Sequence, residues 1–160
     1  MNPLPKTPTR AYDLDFVAWT EQTARFLRSQ QFEKVDWDAV IEEIESLGKS
    51  DRRELKSRTE VLLQHLLKWQ YQPHLQSSSW QNTIDEQRNR IEDLLQDSPS
   101  LKPYFAEILT QCFHRARKAA SRETGLPLNT FPVDCPYAIA RVLDAEFLPE
   151  PYRMEQERLD

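Results

Sequence analysis

The residues best suited to chemistry lie in the most apolar stretch of the chain, around the sequence VLLQHLLKW. His65 stands among leucines there, and a buried histidine prefers the neutral form and needs a hydrogen-bond partner. Arg58 precedes His65 by seven residues, which places the two side chains on nearly one face of a helix. The sequence therefore offers a pair of groups that could bind an anion and move a proton.

This Arg-x6-His spacing resembles the active-site signature of the helical HEPN ribonucleases. The resemblance implies that Arg58 holds the scissile phosphate and that His65 acts as acid or base in a metal-independent ribonuclease. An arginine-rich chain also produces such a spacing by chance, and a motif needs its structural context. A core histidine that is satisfied by a hydrogen bond is the competing interpretation.

A polar gap with the sequence PHLQSSS follows the apolar stretch and is bordered by aromatic side chains. Loops carry function more often than packed helices do, so this corner is the first candidate binding site. Aromatic residues at such a place also commonly cap a core. The candidate binding residues are Lys68, Trp69, Tyr71, His74 and Trp80.

A weaker candidate is a basic row near the end of the fifth predicted helix. Arg115, Lys118 and Arg122 lie on one helix face and could contact nucleic acid. Cations near a helix C-terminus also offset the helix dipole, which is the favoured interpretation. The net charge of −5 disfavours a general nucleic-acid binder, since phosphate contacts need a basic surplus.

No metal or cofactor site is predicted. Glu42, Glu43 and Glu45 are clustered, but a di-metal helical bundle also needs Glu-x-x-His pairs, and the chain contains none. We interpret these glutamates as a solvated helix face opposite the apolar stripe of the same helix. The two cysteines, Cys112 and Cys135, are too few and too far apart for a disulfide framework or a zinc knuckle.

The elements that position these residues are helices. The chain has two glycines against four tryptophans and seven phenylalanines, which argues against a hairpin-rich β fold. The stretch from Ser50 to Gln72 becomes apolar on every side, which is typical of a helix enclosed by other helices. We predict an all-α bundle of five to six helices around this central helix, with the proline-rich segment LPLNTFPVDCPY as a strap near the C-terminus.

Helix ends follow from capping residues and breakers. Gly48 is predicted to end a helix that begins at Trp37, and the alternative is one bent helix from Trp37 to Tyr71. Arg88 is placed on the solvent face of the fourth helix. The predicted N-terminal caps are Asp13, Asp36, Ser78 or Ser79, Ser98 (followed by Pro99) and Asp134.

The domain organisation is predicted as one folded domain over residues 12–150. Residues 1–11 form a proline-rich arm predicted to be disordered, and residues 151–160 form a polar tail. The start of the sequence lacks the apolar segment of a signal peptide, and the apolar run of the central helix is too short to span a membrane. Together with the sparse cysteines, these features predict a cytoplasmic protein.

Six segments taken in order resemble one known family, the domain of unknown function 29 family, an all-α group found chiefly in cyanobacteria. The segments are YDLDFVAWTEQTARFLR, VDWDAVIEEIESLGKS, LLQHLLKWQYQP, SSSWQNTIDEQR, DSPSL and RETGLPLNTFPVDCPYAIARVLDAEFLPE. The resemblance covers Tyr12 to Glu150 and implies a compact helical bundle from a bacterial cytoplasm. It implies no activity, substrate or catalytic residue.

The sequence therefore favours a protein-interaction or regulatory module without catalysis. Its helical patterning is complete, and no polar cluster is left that packing does not explain. The ribonuclease with Arg58 and His65 is the alternative. A protein partner is expected, a homo-oligomer is left open, and nucleic acid and membrane are not expected as partners.

Overall fold

The computed structural model describes residues 11–153, and this part of the chain is all-α. It contains no strand, so the predicted fold class is confirmed. Short 3₁₀ turns at residues 32–34, 73–75 and 128–130 join the longer elements. The α-helices are α1 (Ala11–Leu14), α2 (Phe16–Arg28), α3 (Trp37–Tyr71), α4 (Ser78–Asp97), α5 (Leu101–Thr124) and α6 (Ile139–Val142).

The chain divides into two compact units, Met1–Lys49 and Ser50–Asp160. The described part of the N-terminal unit holds α1, α2 and the beginning of α3. The C-terminal unit holds the rest of α3 and the helices that follow it. The grouping of residues 12–150 as one domain stays a prediction. The predicted arm lies outside the described residues except for Ala11, and so does the predicted tail beyond Arg153.

Helix α3 runs without interruption from Trp37 to Tyr71, so the prediction that Gly48 ends a helix is wrong, and the single helix of the alternative is confirmed. An interior glycine costs about 1 kcal/mol relative to alanine, which strong helix formers on both sides offset. Lys49 also pairs with Glu45 one turn back, at 3.7 Å.

The core of the C-terminal unit surrounds the second part of α3, as the sequence predicts. Four leucines that span about 140° of this helix have no exposed surface, and Gln64 next to them is also buried, so neighbours cover more than half of the helix circumference. The neighbours include α4, α5 and the strap, whose Phe131 is buried. The central residues are Leu62, Leu63, Leu66, Leu67, Ile84, Ile91, Phe105 and Phe113.

The helix starts agree with the predicted caps only in part. Asp36 does cap α3, because its carboxylate accepts the backbone N–H of Ala39 at 3.1 Å. The cap of α2 is Asp15 rather than Asp13, since Asp15 is extended and accepts the N–H of Ala18 at 2.9 Å. Asp13 lies within the short helix α1 that precedes this cap.

Three further cap predictions are wrong. Helix α4 is capped by Ser77, one residue before the predicted pair, through the N–H of Trp80. Ser98 is the C-cap of α4, and α5 begins only at Leu101. Asp134 caps nothing, because α6 begins at Ile139, beyond Pro136. Gly125 does end α5, with the positive φ of 73° that favours glycine.

The proline-rich strap is held by an arginine side chain that binds two of its backbone carbonyls. Arg117 donates to the carbonyls of Phe131 and Leu128 at 3.2 and 2.9 Å. The Leu128 carbonyl also accepts the backbone N–H of Phe131, and the bonds from Arg117 attach both ends of this 3₁₀ turn to α5. None of the helices within residues 11–153 combines the length and apolarity needed to cross a membrane.

Candidate functional site

The N-terminal unit is a helical hairpin of α2 and the first part of α3, packed through an aromatic and polar side. Trp19 is buried and lies 4.9 Å from the ring of Tyr12, edge to face. The Tyr12 hydroxyl donates to a Glu43 carboxylate oxygen at 2.9 Å, and this bond raises the pKa of Tyr12. Ala39, with no exposed surface, lies on the same side of α3 as Glu43. That side is therefore the packed side of α3.

The most apolar side of the hairpin faces solvent instead. On α3 the predicted stripe is largely exposed: Ile44 is 63% exposed and Leu47 is 61% exposed. The prediction that Glu43 belongs to a solvated face is wrong, because its bond to Tyr12 holds it on the packed side. We call the exposed set the N-terminal apolar face. Its members are Phe16 and Leu27 on α2, and Trp37, Ile41, Ile44 and Leu47 on α3.

Helical geometry gives the direction of these residues on each of the two helices. Successive residues of an α-helix are rotated by 100° about its axis. Viewed along α2, Phe16 and Leu27 are therefore rotated by about 60–80° from buried Trp19, in the direction in which the helix winds. On α3, Ile44 is rotated from Ala39 in the same sense. The short connection between the two helices makes them antiparallel, so equal senses of rotation point to one side. On α3 the four exposed side chains are rotated by about 80–200° from Ala39, so they cover the side of α3 that turns away from its packed side.

Charges of opposite sign border this face. Beyond it on α2 lie Arg25 and Arg28, both exposed. Beyond it on α3 lie Asp38, Glu42 and Glu45, also exposed. Glu21, which is also exposed, lies between these two arginines in rotation, so the charges beyond the face on α2 are of both signs, whereas those near the start of α3 are acidic.

The predicted corner in the C-terminal unit proves to be two separate contacts. Lys68 forms an ion pair with Glu123 at 2.7 Å, and its ammonium lies 4.6 Å from the centre of the Trp80 ring. The ion pair lowers the pKa of Glu123. Lys68 and Trp80 are thus brought together, and Glu123 is a partner that the sequence did not indicate.

The other three corner residues face different surroundings. The Tyr71 ring packs at a tilt against Phe131 at 4.8 Å and stacks on Tyr152 at 4.7 Å, and burial raises the pKa of Tyr71. The Trp69 carbonyl accepts the amide of Gln76 at 3.0 Å. His74 is exposed in a 3₁₀ turn. These contacts tie the loop to the core, and they do not gather the aromatic groups into one pocket.

The predicted catalytic pair is engaged by different partners. Arg58 bonds Glu54 at 2.7 Å and Gln87 at 3.3 Å. His65 is half-buried, and its Nδ1 lies 2.9 Å from the Val61 carbonyl, so this nitrogen carries the proton. Burial lowers the pKa of His65, and the charge of Lys68 adds to this effect. The ribonuclease hypothesis stays a prediction that these contacts do not favour.

The basic row on α5 is solvent-exposed. Arg115 pairs with Glu60 at 3.1 Å, and the Nε of Arg122 approaches the Lys118 carbonyl at 3.4 Å. Such contacts suit cations near a helix end, where the last carbonyls attract them. A nucleic-acid role for this row remains an untested prediction.

The comparisons with known proteins now decide the family. The family model described as Domain of unknown function DUF29 matches residues 11–148. The chain belongs to the DUF29 family. No curated protein and no solved structure gives a significant match. The function of this DUF29 chain must therefore be argued from its own residues.

Two features of the DUF29 chain escaped sequence reasoning. Arg88, expected on a solvent face, is 4% exposed and donates to the carbonyls of Val142 and Phe147 at 2.9 and 2.8 Å. Arg88 follows Ile84 by four residues and precedes Ile91 by three. This spacing places it on the buried side of α4 and could have predicted its burial. Burial lowers the pKa of Arg88. The exposure of the N-terminal apolar face was the other feature, since its periodicity is the same as that of a buried stripe.

Metal binding has no candidate residues in the described part of the chain. Within residues 11–153, no group of three or more His, Cys, Asp or Glu side chains is arranged to hold a metal ion. Glu42 and Glu45 point away from the packed side that holds Glu43. The N-terminal apolar face is therefore the surface for which a function must be found.

Proposed function

We propose that this DUF29 chain is a protein-interaction or regulatory module of a bacterial cytoplasm that acts through its surface and not by catalysis. The observation that carries the proposal is the N-terminal apolar face. Proteins that stay monomeric rarely expose large continuous apolar patches, whereas interaction sites combine an apolar centre with a polar rim. The face has this composition, because charged edges border it on both sides.

The shape of the hairpin supports a protein as the partner. An amphipathic helix pair offers side chains at the spacing by which another helix packs, with ridges entering grooves. Trp37 adds an aromatic side chain of the kind that dominates binding energy at interfaces. Its indole N–H donates to the Phe32 carbonyl at 3.2 Å, which fixes the ring at the surface before a partner arrives.

The polar contacts of the C-terminal unit support a role without catalysis. A catalytic acid and base must reach one substrate, and Arg58 and His65 are each engaged by separate groups. The cytoplasmic location is supported by the two cysteines, which do not pair with each other. The bacterial origin rests on the family resemblance of the sequence.

Site-specific photo-crosslinking in living host cells tests this proposal. A photoreactive phenylalanine analogue replaces Ile44 at the centre of the face, and a matched chain carries the analogue at Asn89, an exposed position of α4. We expect a discrete protein adduct from position 44 and none from position 89. A chain that gives no protein adduct from position 44 would overturn the proposal.

A further inference from the structure

The net negative charge of the described residues is concentrated in the N-terminal unit. Residues 11–49 contain nine acidic and four basic side chains, which gives them a net charge of −5. Residues 50–153 contain fourteen side chains of each sign, so the described part of the C-terminal unit is neutral overall. The unit that exposes the N-terminal apolar face is therefore also the acidic unit, and a surface of this charge attracts basic partners.

The start of α3 places acidic side chains directly beside the apolar residues of the face. By the rotation of 100° per residue, Asp38 and Glu45 lie about 40–60° beyond Ile41, on the side away from Leu47. Glu42 follows at about 100° beyond Ile41. All three acidic side chains are exposed. The apolar strip of α3 therefore has an acidic edge along one side.

The carboxylates of this edge are available to a partner. Asp38 and Glu42 form no ion pair within residues 11–153. Glu45 has only a contact of 3.7 Å with Lys49, and both of these side chains are largely exposed. An acidic residue in the first turn of a helix offsets the helix dipole, which accounts for Asp38. The dipole does not account for Glu42 and Glu45, because they lie beyond the first turn.

The acidic charge argues against three other occupants of the face. A second copy would bring one unit with a net charge of −5 against another, and like-charge contacts are costly at interfaces. Nucleic acids and anionic lipid surfaces are themselves negative and attract proteins through a basic surplus. A protein segment that carries lysine or arginine next to an apolar side matches both the apolar strip and its acidic edge.

We propose that the N-terminal apolar face binds a basic amphipathic helix of another protein. The apolar side of that helix packs on Trp37, Ile41 and Ile44, where ridges of side chains on one helix enter grooves on the other. Its lysine or arginine side chains lie beside Asp38 and Glu45, where unlike charges fix the orientation of the helix and speed its association. This inference rests on the proposed function, since it names the chemistry of the partner of the same face.

Two synthetic peptides of about 18 residues, added to the full chain, test the inference. Both carry leucine at the helical spacing i, i+3, i+4 and i+7, and the remaining positions are lysine in one peptide and glutamate in the other. We expect the lysine peptide to bind roughly tenfold or more tightly than the glutamate peptide, as measured by fluorescence anisotropy of the labelled peptides. Equal affinities would overturn the proposed chemistry of the partner.

Matched variants show whether the lysine peptide binds this edge or only responds to overall charge. One variant removes three carboxylates beside the face, and its control removes three exposed carboxylates on α4. The substitutions are D38N, E42Q and E45Q in the first variant, and E86Q, E92Q and D93N in the control. We expect the first variant to weaken binding about tenfold and the control to weaken it less than about threefold, because ion pairs at an interface rim act locally. Equal weakening in the two variants would contradict the inference.

A third variant tests the apolar part of the surface. The substitutions I41S and I44S remove two exposed isoleucines and should weaken the lysine peptide roughly tenfold or more, because the centre of an interface carries most of its binding energy. Circular dichroism of every variant confirms that its helix content is unchanged. A folded I41S and I44S variant that keeps its full affinity would show that the peptide binds elsewhere.

The crosslinking experiment separates failure of this inference from failure of the proposed function. Mass spectrometry of the adduct at position 44 identifies the linked segment, which should carry lysine or arginine at helical spacing beside an apolar side. A linked segment of another protein without this pattern, or a second copy of this chain, overturns the inference and leaves the interaction module standing. The absence of any adduct with another protein or another copy overturns both.

Discussion

Similar apolar patterns on helices are buried in the C-terminal unit of this chain and exposed in the N-terminal unit. Helix α3 carries leucines in both units, yet Leu66 has no exposed surface and Leu47 is 61% exposed. In the C-terminal unit, elements packed on several sides enclose the helix. In the N-terminal unit, the packed side of α3 carries Ala39 and Glu43, and the bulkier apolar residues face outward. A helical apolar stripe thus shows that a surface is suited to burial, and not which partner buries it.

A matched pair of leucine substitutions would test this contrast on one helix. Leu66→Ala removes a fully buried side chain and should lower the free energy of unfolding by about 2–5 kcal/mol. Leu47→Ala removes an exposed side chain and improves helix propensity, so the change should stay within about 0.5 kcal/mol. Urea unfolding followed by circular dichroism gives both values.

The protein must be dilute enough to sediment as a monomer in these measurements, because association would add stability. A cost for Leu47→Ala that equals the cost for Leu66→Ala would contradict the contrast. It would show that residues of the same chain cover the face in solution.

The sequence predicts the positions of the helices better than their exact ends and the contacts that they make. Periodicity locates α2 to α5 and the enclosed part of α3, because burial on all sides leaves an unmistakable run of leucines. Most cap positions shift by one to four residues, since several serines and aspartates near a helix start can serve as caps. Gly48 shows a further limit, because a single unfavourable residue does not end a helix that its neighbours favour.

The candidate sites are harder to predict for a physical reason. Arg58 and His65 share a helix face by spacing, but Glu54, Gln87 and Val61 determine what each side chain contacts. Lys68 and Trp80 were grouped correctly, whereas Glu123 is 55 residues away from Lys68 in the sequence. Contacts between distant segments depend on helix packing, which periodicity does not specify.

Each unit contains one glycine, and replacing it by alanine should change stability in opposite directions in the two units. Gly48 has a helical conformation, and an added Cβ would meet no atom within 4 Å, so Gly48→Ala should stabilise the chain by about 0.5–1 kcal/mol. Gly125 has φ of 73°, and Gly125→Ala should destabilise it by about 1–2 kcal/mol. Thermal unfolding of both variants at one protein concentration measures the difference.

The sign of each change is decisive here. A destabilising Gly48→Ala would mean that an atom approaches this position closely in solution, which the open surface of the N-terminal unit does not allow. A neutral Gly125→Ala would mean that α5 does not end in the left-handed conformation. Either result would break the link between local geometry and stability in its unit.

The smallest expected effect concerns pH and the half-buried His65 of the C-terminal unit. Burial lowers the pKa of His65 below its ordinary value of 6.5, so the unfolded chain binds a proton at this residue more readily than the folded chain does. The folded chain should therefore lose stability as the pH falls below about 6.5, until the folded histidine is protonated as well. His65→Gln should remove this part of the pH dependence.

Urea unfolding at a series of pH values between 7.5 and 5, at roughly 0.3-unit steps, measures the slope that linkage predicts. His114→Gln removes an imidazole from an exposed position of α5 and serves as the control. If His65→Gln leaves the slope between these pH values unchanged, His65 is not held neutral by its surroundings. In that case burial and the contact with Val61 would not affect the protonation of His65. The contrast between the buried C-terminal part of α3 and its exposed N-terminal part would then extend to packing but not to charge.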